Sequence, residues 1–261
     1  MIGSQVLGQG TYATVRVGFH VPSQMEVAVK VYQKAKLFDR QRMQSVANEI
    51  SILSKARNAG IVKLYQKIED NHKIYLVMEF CGNTNLKEFL KKLPNQILNE
   101  AEVKVLFRKI AEAVEYLHVR GIAHRDLKLQ NVVLNSVFAP KLVDFGFASK
   151  ISSSMNYDQC GTPNYMAPEL VGRKKNIDPL KSDIWAMGII LYYLITNNHA
   201  FKASSEQELF KRIVHGGFDL NPVKDPQLKN LLENLLRSSA DKRLSISQVL
   251  SHPWQIGRAH V

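Results

Sequence analysis

Apolar and polar residues alternate along the first eighty positions, and then the period lengthens. Thr14–Val17 and Val27–Val31 alternate with period two and predict β-strands, with a turn at Pro22–Ser23 between them. Val46, Ile50 and Leu53 fall at i, i+4 and i+7, one face of a helix, with Glu49 beside that face. Ile61–Leu64 and Ile74–Phe80 read as further strands. From Asn83 onward the helical period dominates. Leu106, Ile110, Ala113, Val114 and Leu117 predict a long amphipathic helix ending near Gly121. Trp185–Thr196 is apolar on almost every side, which predicts a helix buried all round. Leu231, Leu232, Leu235 and Leu236 mark another helix. The pattern implies an α+β, bilobal fold: a small β-rich lobe with one main helix (about 1–80), joined around Glu79–Asn83 to a larger helical lobe (about 81–254). Neither an internal repeat nor a low-complexity segment interrupts it.

Composition narrows the picture. The chain has 261 residues, 45% apolar and 22% charged, enough for a substantial core. No apolar run approaches the ~20 residues that cross a bilayer, and no membrane association is expected. MIGSQVLGQG lacks a basic region followed by an apolar core, so it does not read as a signal peptide. Cys81 and Cys160 are too few for a disulfide framework, and a reducing, cytoplasmic setting is expected, with nuclear access open. The net charge of +12 is compatible with nucleic acid, an anionic surface, an acidic substrate or a nucleotide. The basic residues are scattered, without an aromatic-interleaved block, and nucleic-acid binding is not expected. The tail is set apart, with 255–261 outside the domain. Ile256-Gly-Arg-Ala-His-Val261 matches the translation of ATC GGA AGA GCA CAC GTC, a common sequencing adapter, and is expected to be non-natural.

Several motifs carry chemistry. Residues 8–13 read GQGTYA, and two glycines let backbone N–H groups approach phosphates, although a plain hairpin turn has the same spelling. Val27-Ala-Val-Lys30 ends an apolar strand in a cation, which is either an edge lysine with its charge in water or a charge aimed beneath the hairpin. Glu49 could pair with it or lie in solvent. Residues 121–131, GIAHRDLKLQN, crowd His124, Arg125, Asp126, Lys128 and Asn131 behind an apolar stretch. Lys141-Leu-Val-Asp144-Phe-Gly146 places a carboxylate at a tight turn. Asn131 and Asp144 together offer hard oxygen ligands suited to Mg²⁺ bridging a nucleotide's phosphates. Gly161-Thr-Pro-Asn-Tyr-Met-Ala-Pro-Glu169 and Asp183-Ile-Trp185-Ala-Met-Gly188 complete the set.

This ordered set resembles the eukaryotic protein kinase family, over about residues 1–254. The resemblance implies the bilobal kinase fold, ATP and Mg²⁺ as cofactors, and transfer of the γ-phosphate to protein serine or threonine. It implies that Gly8 and Gly10 cover the phosphates, with Leu7, Gln9 and Thr11 also binding ATP, although the family's third glycine is Ala13 here. Lys30 and Glu49 would form the phosphate-orienting pair. Met78 resembles the gatekeeper, backbone groups of Glu79 and Cys81 would bind adenine, and Val15, Ala28 and Val133 would sandwich it, with Asn85 at the rim. Asp126 would act as base and Lys128 would neutralise the transferring group; that lysine is the Ser/Thr-type residue. Asn131 and Asp144 would hold the metal. Phe147 favours serine over threonine by the same analogy. Leu53, Leu64, His124 and Phe145 resemble the stack linking the lobes, Asp183 the anchor of the catalytic loop, and Glu169–Arg243 a structural pair.

Departures from the family pattern sharpen the reading. Arg125, Asp158 and Thr162 are expected to be regulatory. Asp158 stands where many kinases carry an activation-loop phosphate opposite Arg125, and one carboxylate could partly replace it, giving activity without loop phosphorylation. Ser152–Ser154 and Tyr157 remain candidate phosphosites. Arginine-directed kinases place acids where this chain has Asn85, Gln130 and Tyr193, so protein substrates that are not strongly arginine-directed are expected. A monomeric catalytic domain is expected. Subfamily cues resemble calcium/calmodulin-dependent-type or polo-like kinases. A pseudokinase with the same fold is the main competing function; it would normally have lost Lys30, Asp126 or Asp144, and all three are present.

Overall fold

The computed structural model describes residues 1–10, 12–93, 97–151, 161–174 and 176–257. The alternating N-terminal segment forms a five-stranded antiparallel sheet in the order β1-β2-β3-β5-β4. The strands are β1 (Ile2–Gln9), β2 (Ala13–His20), β3 (Met25–Gln33), β4 (Leu64–Glu69) and β5 (Lys73–Glu79). Pro22–Ser23 lies in a short 3₁₀ turn, Val21–Ser23, as the sequence implies. Ile61–Leu64 is a correction: Ile61 makes only an isolated parallel bridge to Leu142, and the strand begins at Leu64. Those apolar residues are used to pack the lobes together, with Ile61 and Val62 both buried.

Register decides which side chains face the cleft. Val15 pairs with Lys30 and Val17 with Ala28, while Ala28 pairs with Met78 and Lys30 with Leu76. Paired residues share a face and side chains alternate along a strand, so Val15, Ala28, Lys30 and Met78 all stand on one face. Helix α1 (Arg40–Lys55) starts at Asp39, whose carboxylate accepts from the Arg42 amide. Its buried residues are Val46, Glu49, Ile52 and Leu53, with Ile50 only half-buried. The buried face is therefore rotated toward Glu49 relative to the expected Val46–Ile50–Leu53 stripe.

The second lobe is helical. It comprises α2 (Leu86–Lys92), α3 (Glu100–His118), α4 (Pro168–Val171), α5 (Pro179–Thr196), α6 (Glu206–His215), α7 (Pro226–Leu235), α8 (Ile246–Leu250) and α9 (Pro253–Ile256). Short two-stranded ladders, β6 (Ile122–Ala123) with β9 (Ser149–Lys150) and β7 (Val132–Leu134) with β8 (Pro140–Leu142), carry the motif loops. Helix α3 opens with a capping box between Asn99 and Glu102 and ends at His118, three residues before Gly121. Helix α5 is buried on nearly every side, as its composition predicts. No described helix is long and apolar enough to cross a membrane.

Candidate active site

The site forms where β3, α1 and the two motif loops meet. Lys30 Nζ lies 2.8 Å from Glu49 Oε1 and 2.8 Å from Asp144 Oδ1. Glu49 is 1% exposed, so the solvated-helix reading of this residue is wrong. Its other oxygen accepts a short hydrogen bond from the Tyr32 hydroxyl. Tyr32 follows Lys30 by two positions on β3 and so shares its face. Burial works against the Lys30 charge, but Glu49 and Asp144 outweigh it and hold the pKa well above 10.5, the ordinary lysine value. The Lys30 charge in turn holds the Asp144 carboxyl down at about 2, against the pull of burial.

A second cluster surrounds Asp126. Its Oδ2 is 2.6 Å from Lys128 Nζ and 2.9 Å from Asn131 Nδ2, and its Oδ1 accepts from the Thr162 hydroxyl at 3.1 Å. Lys128 also donates to Thr162 Oγ1 at 3.0 Å. Thr162, expected among the regulatory residues, thus touches both Asp126 and Lys128. Asn131 Nδ2 also donates to the Asp126 carbonyl at 2.8 Å. Two acceptors fix the amide nitrogen on that side, which leaves the Asn131 carbonyl oxygen for another ligand.

Left-handed backbone marks both loops, with strain at Arg125. Arg125 has φ 66° and Asp144 φ 60°, left-handed values uncommon for side chains other than glycine, asparagine and aspartate. Asp183 on α5 holds the first strained turn: it accepts from the His124 amide at 2.8 Å and the Arg125 amide at 2.9 Å. The His118 ring, which sequence reasoning missed, sits 3.0 Å from the same carboxylate. His124 reaches the Val143 carbonyl through Nε2 (3.2 Å) and lies 4.8 Å, ring to ring, from Phe145. Both are fully buried, alongside Leu53, with Leu64 half-buried. Arg125 Nη1 donates to the Phe147 carbonyl at 3.4 Å.

The N-terminal hairpin closes the cleft. Neither Gly8 nor Gly10 has a positive φ, an added Cβ at Gly8 meets nothing within 4 Å, and one at Gly10 meets only the Ala13 carbonyl at 3.6 Å. The hairpin itself does not require these glycines. Thr11 lies outside the described residues, as do Ser152–Ser154, Tyr157, Asp158 and Cys160. Leu7 stands at a bulge in β1, between Val6 and Gly8, with Gln9 following. Met78, on the sheet face that carries Ala28 and Lys30, is buried, and Val133 on β7 is half-buried. The Glu79 amide is spent on the Lys63 carbonyl at 2.8 Å, and its carboxylate pairs with Lys141 at 2.9 Å. Burial pushes the Cys81 thiol up to about 12, which leaves it inert. Asn85 caps α2 through its side-chain oxygen, so that atom is already engaged.

Residues 2–255 match the family model described as a protein kinase domain. The chain belongs to the protein kinase family. Its relatives include the maternal embryonic leucine zipper kinase of Xenopus tropicalis, 33% identical over 253 residues that cover 96% of this chain and 38% of that protein. The probable serine/threonine-protein kinase MARK-A of Dictyostelium discoideum is 31% identical over 253 residues, 96% of this chain and 23% of its own. The serine/threonine-protein kinase PLK4 of Danio rerio is 32% identical over 251 residues, 95% of this chain and 26% of its own. The kinase domain described here thus spans between 23% and 38% of the length of these relatives. With the family established, the α+β bilobal architecture is the kinase fold.

The donor set fits a divalent cation. No group of three or more His, Cys, Asp or Glu side chains able to hold a metal occurs among the described residues. Asn131 and Asp144 supply two hard oxygens, and Mg²⁺ is usually held by one or two protein oxygens together with phosphates and water.

Proposed function

We propose that this domain transfers the γ-phosphoryl group of ATP to serine, and less readily threonine, hydroxyls of proteins. The observation that carries the reading is Lys30, buried and 2.8 Å from carboxylates that come from two other parts of the chain. Glu49 fixes the ammonium beneath the glycine hairpin, where it meets the α- and β-phosphates. Adenine lies between Val15 and Ala28 above and Val133 below, on the backbone of Glu79 and Cys81, beside Met78. Asn131 and Asp144 hold Mg²⁺, which neutralises phosphate charge when bound. Asp126 orients the acceptor hydroxyl and takes its proton. The Thr162 hydroxyl already donates to Asp126 Oδ1, which supports an O–H donor fitting at that oxygen. Lys128, 2.6 Å from Asp126, offsets charge on the transferring group. Most of the rate then comes from positioning and charge neutralisation.

Two finer points rest on sequence position. Phe147, bulky and about half exposed beside Gly146, favours serine. Asp158 stands in part for a loop phosphate opposite Arg125, so transfer proceeds without loop phosphorylation, and Asp158→Ala lowers turnover; unchanged turnover would sink that idea. The main test is transfer of labelled phosphate from Mg²⁺·ATP to Ser, Thr and Tyr peptides, beside Asp126→Asn. Transfer to serine peptides that disappears in the variant supports the reading. A folded, nucleotide-binding protein that transfers nothing overturns it in favour of a binding-only kinase fold.

A further inference from the structure

Glu49 reaches strand β3 with both of its carboxylate oxygens. Oε1 takes the Lys30 ammonium at 2.8 Å, and Oε2 accepts from the Tyr32 hydroxyl. Both donors stand on one face of the same strand, and the carboxylate spans them. A carboxylate held by one oxygen can turn about its last bond; held by both, its plane is fixed. The contact is closed to water, with Glu49 1% and Tyr32 5% exposed. Without the hydroxyl, Oε2 would be a charged oxygen shut away from solvent, which costs more than an ordinary lost hydrogen bond.

The tyrosine is fixed as firmly as the acid. Strand β3 lies in the middle of the five-stranded sheet, and Tyr32 pairs with Ala13 on β2 and with Ile74 on β5. Ala13, in place of the family's third glycine, packs against the same apolar core as the Tyr32 ring. Burial pushes the Tyr32 pKa up, and Glu49 adds to that against the pull of Lys30, so the hydroxyl keeps its proton and stays a donor. Lys30 is the less constant partner. Its ammonium is shared between Glu49 and Asp144 and lies 5.3 Å from the centre of the Tyr32 ring. It is also the group that has to meet a nucleotide.

We propose that Tyr32 is a positioning residue for phosphoryl transfer: its hydroxyl holds the Glu49 carboxylate, and with it helix α1, in the place from which Glu49 orients Lys30. This rests on the kinase reading and deepens it by naming what keeps the Lys30–Glu49 pair set. Tyr32, Lys30, Ala13 and Glu49 all lie in the small lobe, so the alignment is built into that lobe. When the lysine leans toward a ligand, Glu49 stays where it was, because the tyrosine has not moved.

The test is Tyr32→Phe, which removes one oxygen and keeps the ring. Transfer to a serine peptide is measured against ATP and against peptide concentration for the wild type, Tyr32→Phe, Glu49→Ala and the double variant, with a melting curve for each. Tyr32→Phe should lower kcat/KM for ATP by about three- to tenfold, the size of one hydrogen bond, and leave the KM for peptide unchanged. In the Glu49→Ala background the same change should have no further effect, because it acts through Glu49. If Glu49→Ala does not fold, Glu49→Gln takes its place, and the effect of Tyr32→Phe should be smaller there than in the wild type. Equal kcat/KM for ATP in wild type and Tyr32→Phe overturns this proposal alone, even where the melting temperature falls, since the hydroxyl is then only structural. An equal loss in both backgrounds also overturns it, because Tyr32 then acts by another route. Absence of transfer by the wild-type chain overturns the kinase reading, and this proposal with it.

Discussion

Two buried charged pairs in this domain look alike in geometry and differ in what they leave free. Arg243 pairs with Glu169 through Nη1 (2.8 Å) and Nη2 (3.0 Å). Its remaining N–H groups go to the Lys181 carbonyl and, from two nitrogens, to the Arg237 carbonyl. All five guanidinium donors are used, and the side chain is sealed. Lys30 has three donors and two partners, Glu49 and Asp144, and the Asp144 side chain is 47% exposed. The saturated pair holds helices together. The unsaturated one keeps a donor and an open carboxylate for something else. Counting donors separates the two where burial and distance do not.

The comparison can be broken by substitution. The largest change in rate is expected at the site itself: Asp126→Asn should lower kcat by about 10²–10⁴-fold, as loss of a general base does, with the melting temperature nearly unchanged. Radiolabel transfer and calorimetry on one preparation check both halves. Lys30→Met should lower kcat/KM by about 10²-fold or more, in keeping with loss of an electrostatic contact to the reacting phosphates. Its cost in stability should be smaller than that of Arg243→Met, because Glu49 keeps the Tyr32 hydroxyl. Arg243→Met should destabilise by about 3–5 kcal/mol in urea unfolding, since it strands a buried carboxylate. If Lys30→Met proves the more destabilising of the two, the division between saturated and unsaturated pairs fails.

Acid gives the smallest effect. Asp144 has a folded pKa of about 2, below its ordinary value of 3.8. A depressed carboxylate contributes stability above its unfolded value and loses it as pH falls through the folded value. The contribution of Asp144 should therefore fade between about pH 4 and pH 2. Asp144→Asn should flatten the stability curve in that window and nowhere above it; an unchanged curve would contradict the Lys30 contact.

Much of this was legible in the sequence because it depends on local period. The strands around Val15 and Val29, the helix through Leu106–Leu117 and the buried helix from Trp185 follow from spacing alone. The residues of the cleft were legible through their motif order, which resembles a family. What the sequence hid depends on contacts between distant residues. His118 sits at the end of an amphipathic helix like any other polar residue, and nothing local says that its ring meets Asp183, 65 positions on. Ile61–Leu64 is apolar enough for a strand, but packing between lobes claims its first residues. Tyr32 offered a fainter signal: two residues after Lys30 on a strand, it had to share that face.

Asp183 has a consequence for how this domain fails. One carboxylate on the most deeply buried helix grips two successive amides of the strained turn just before Asp126, and the ring of His118. The turn has no resting shape of its own to relax into while that helix stands. Heat should therefore not produce a folded but slack catalyst. The loss of chemistry and the collapse of the large lobe should trace a single curve, and the active fraction should serve as a thermometer for the core.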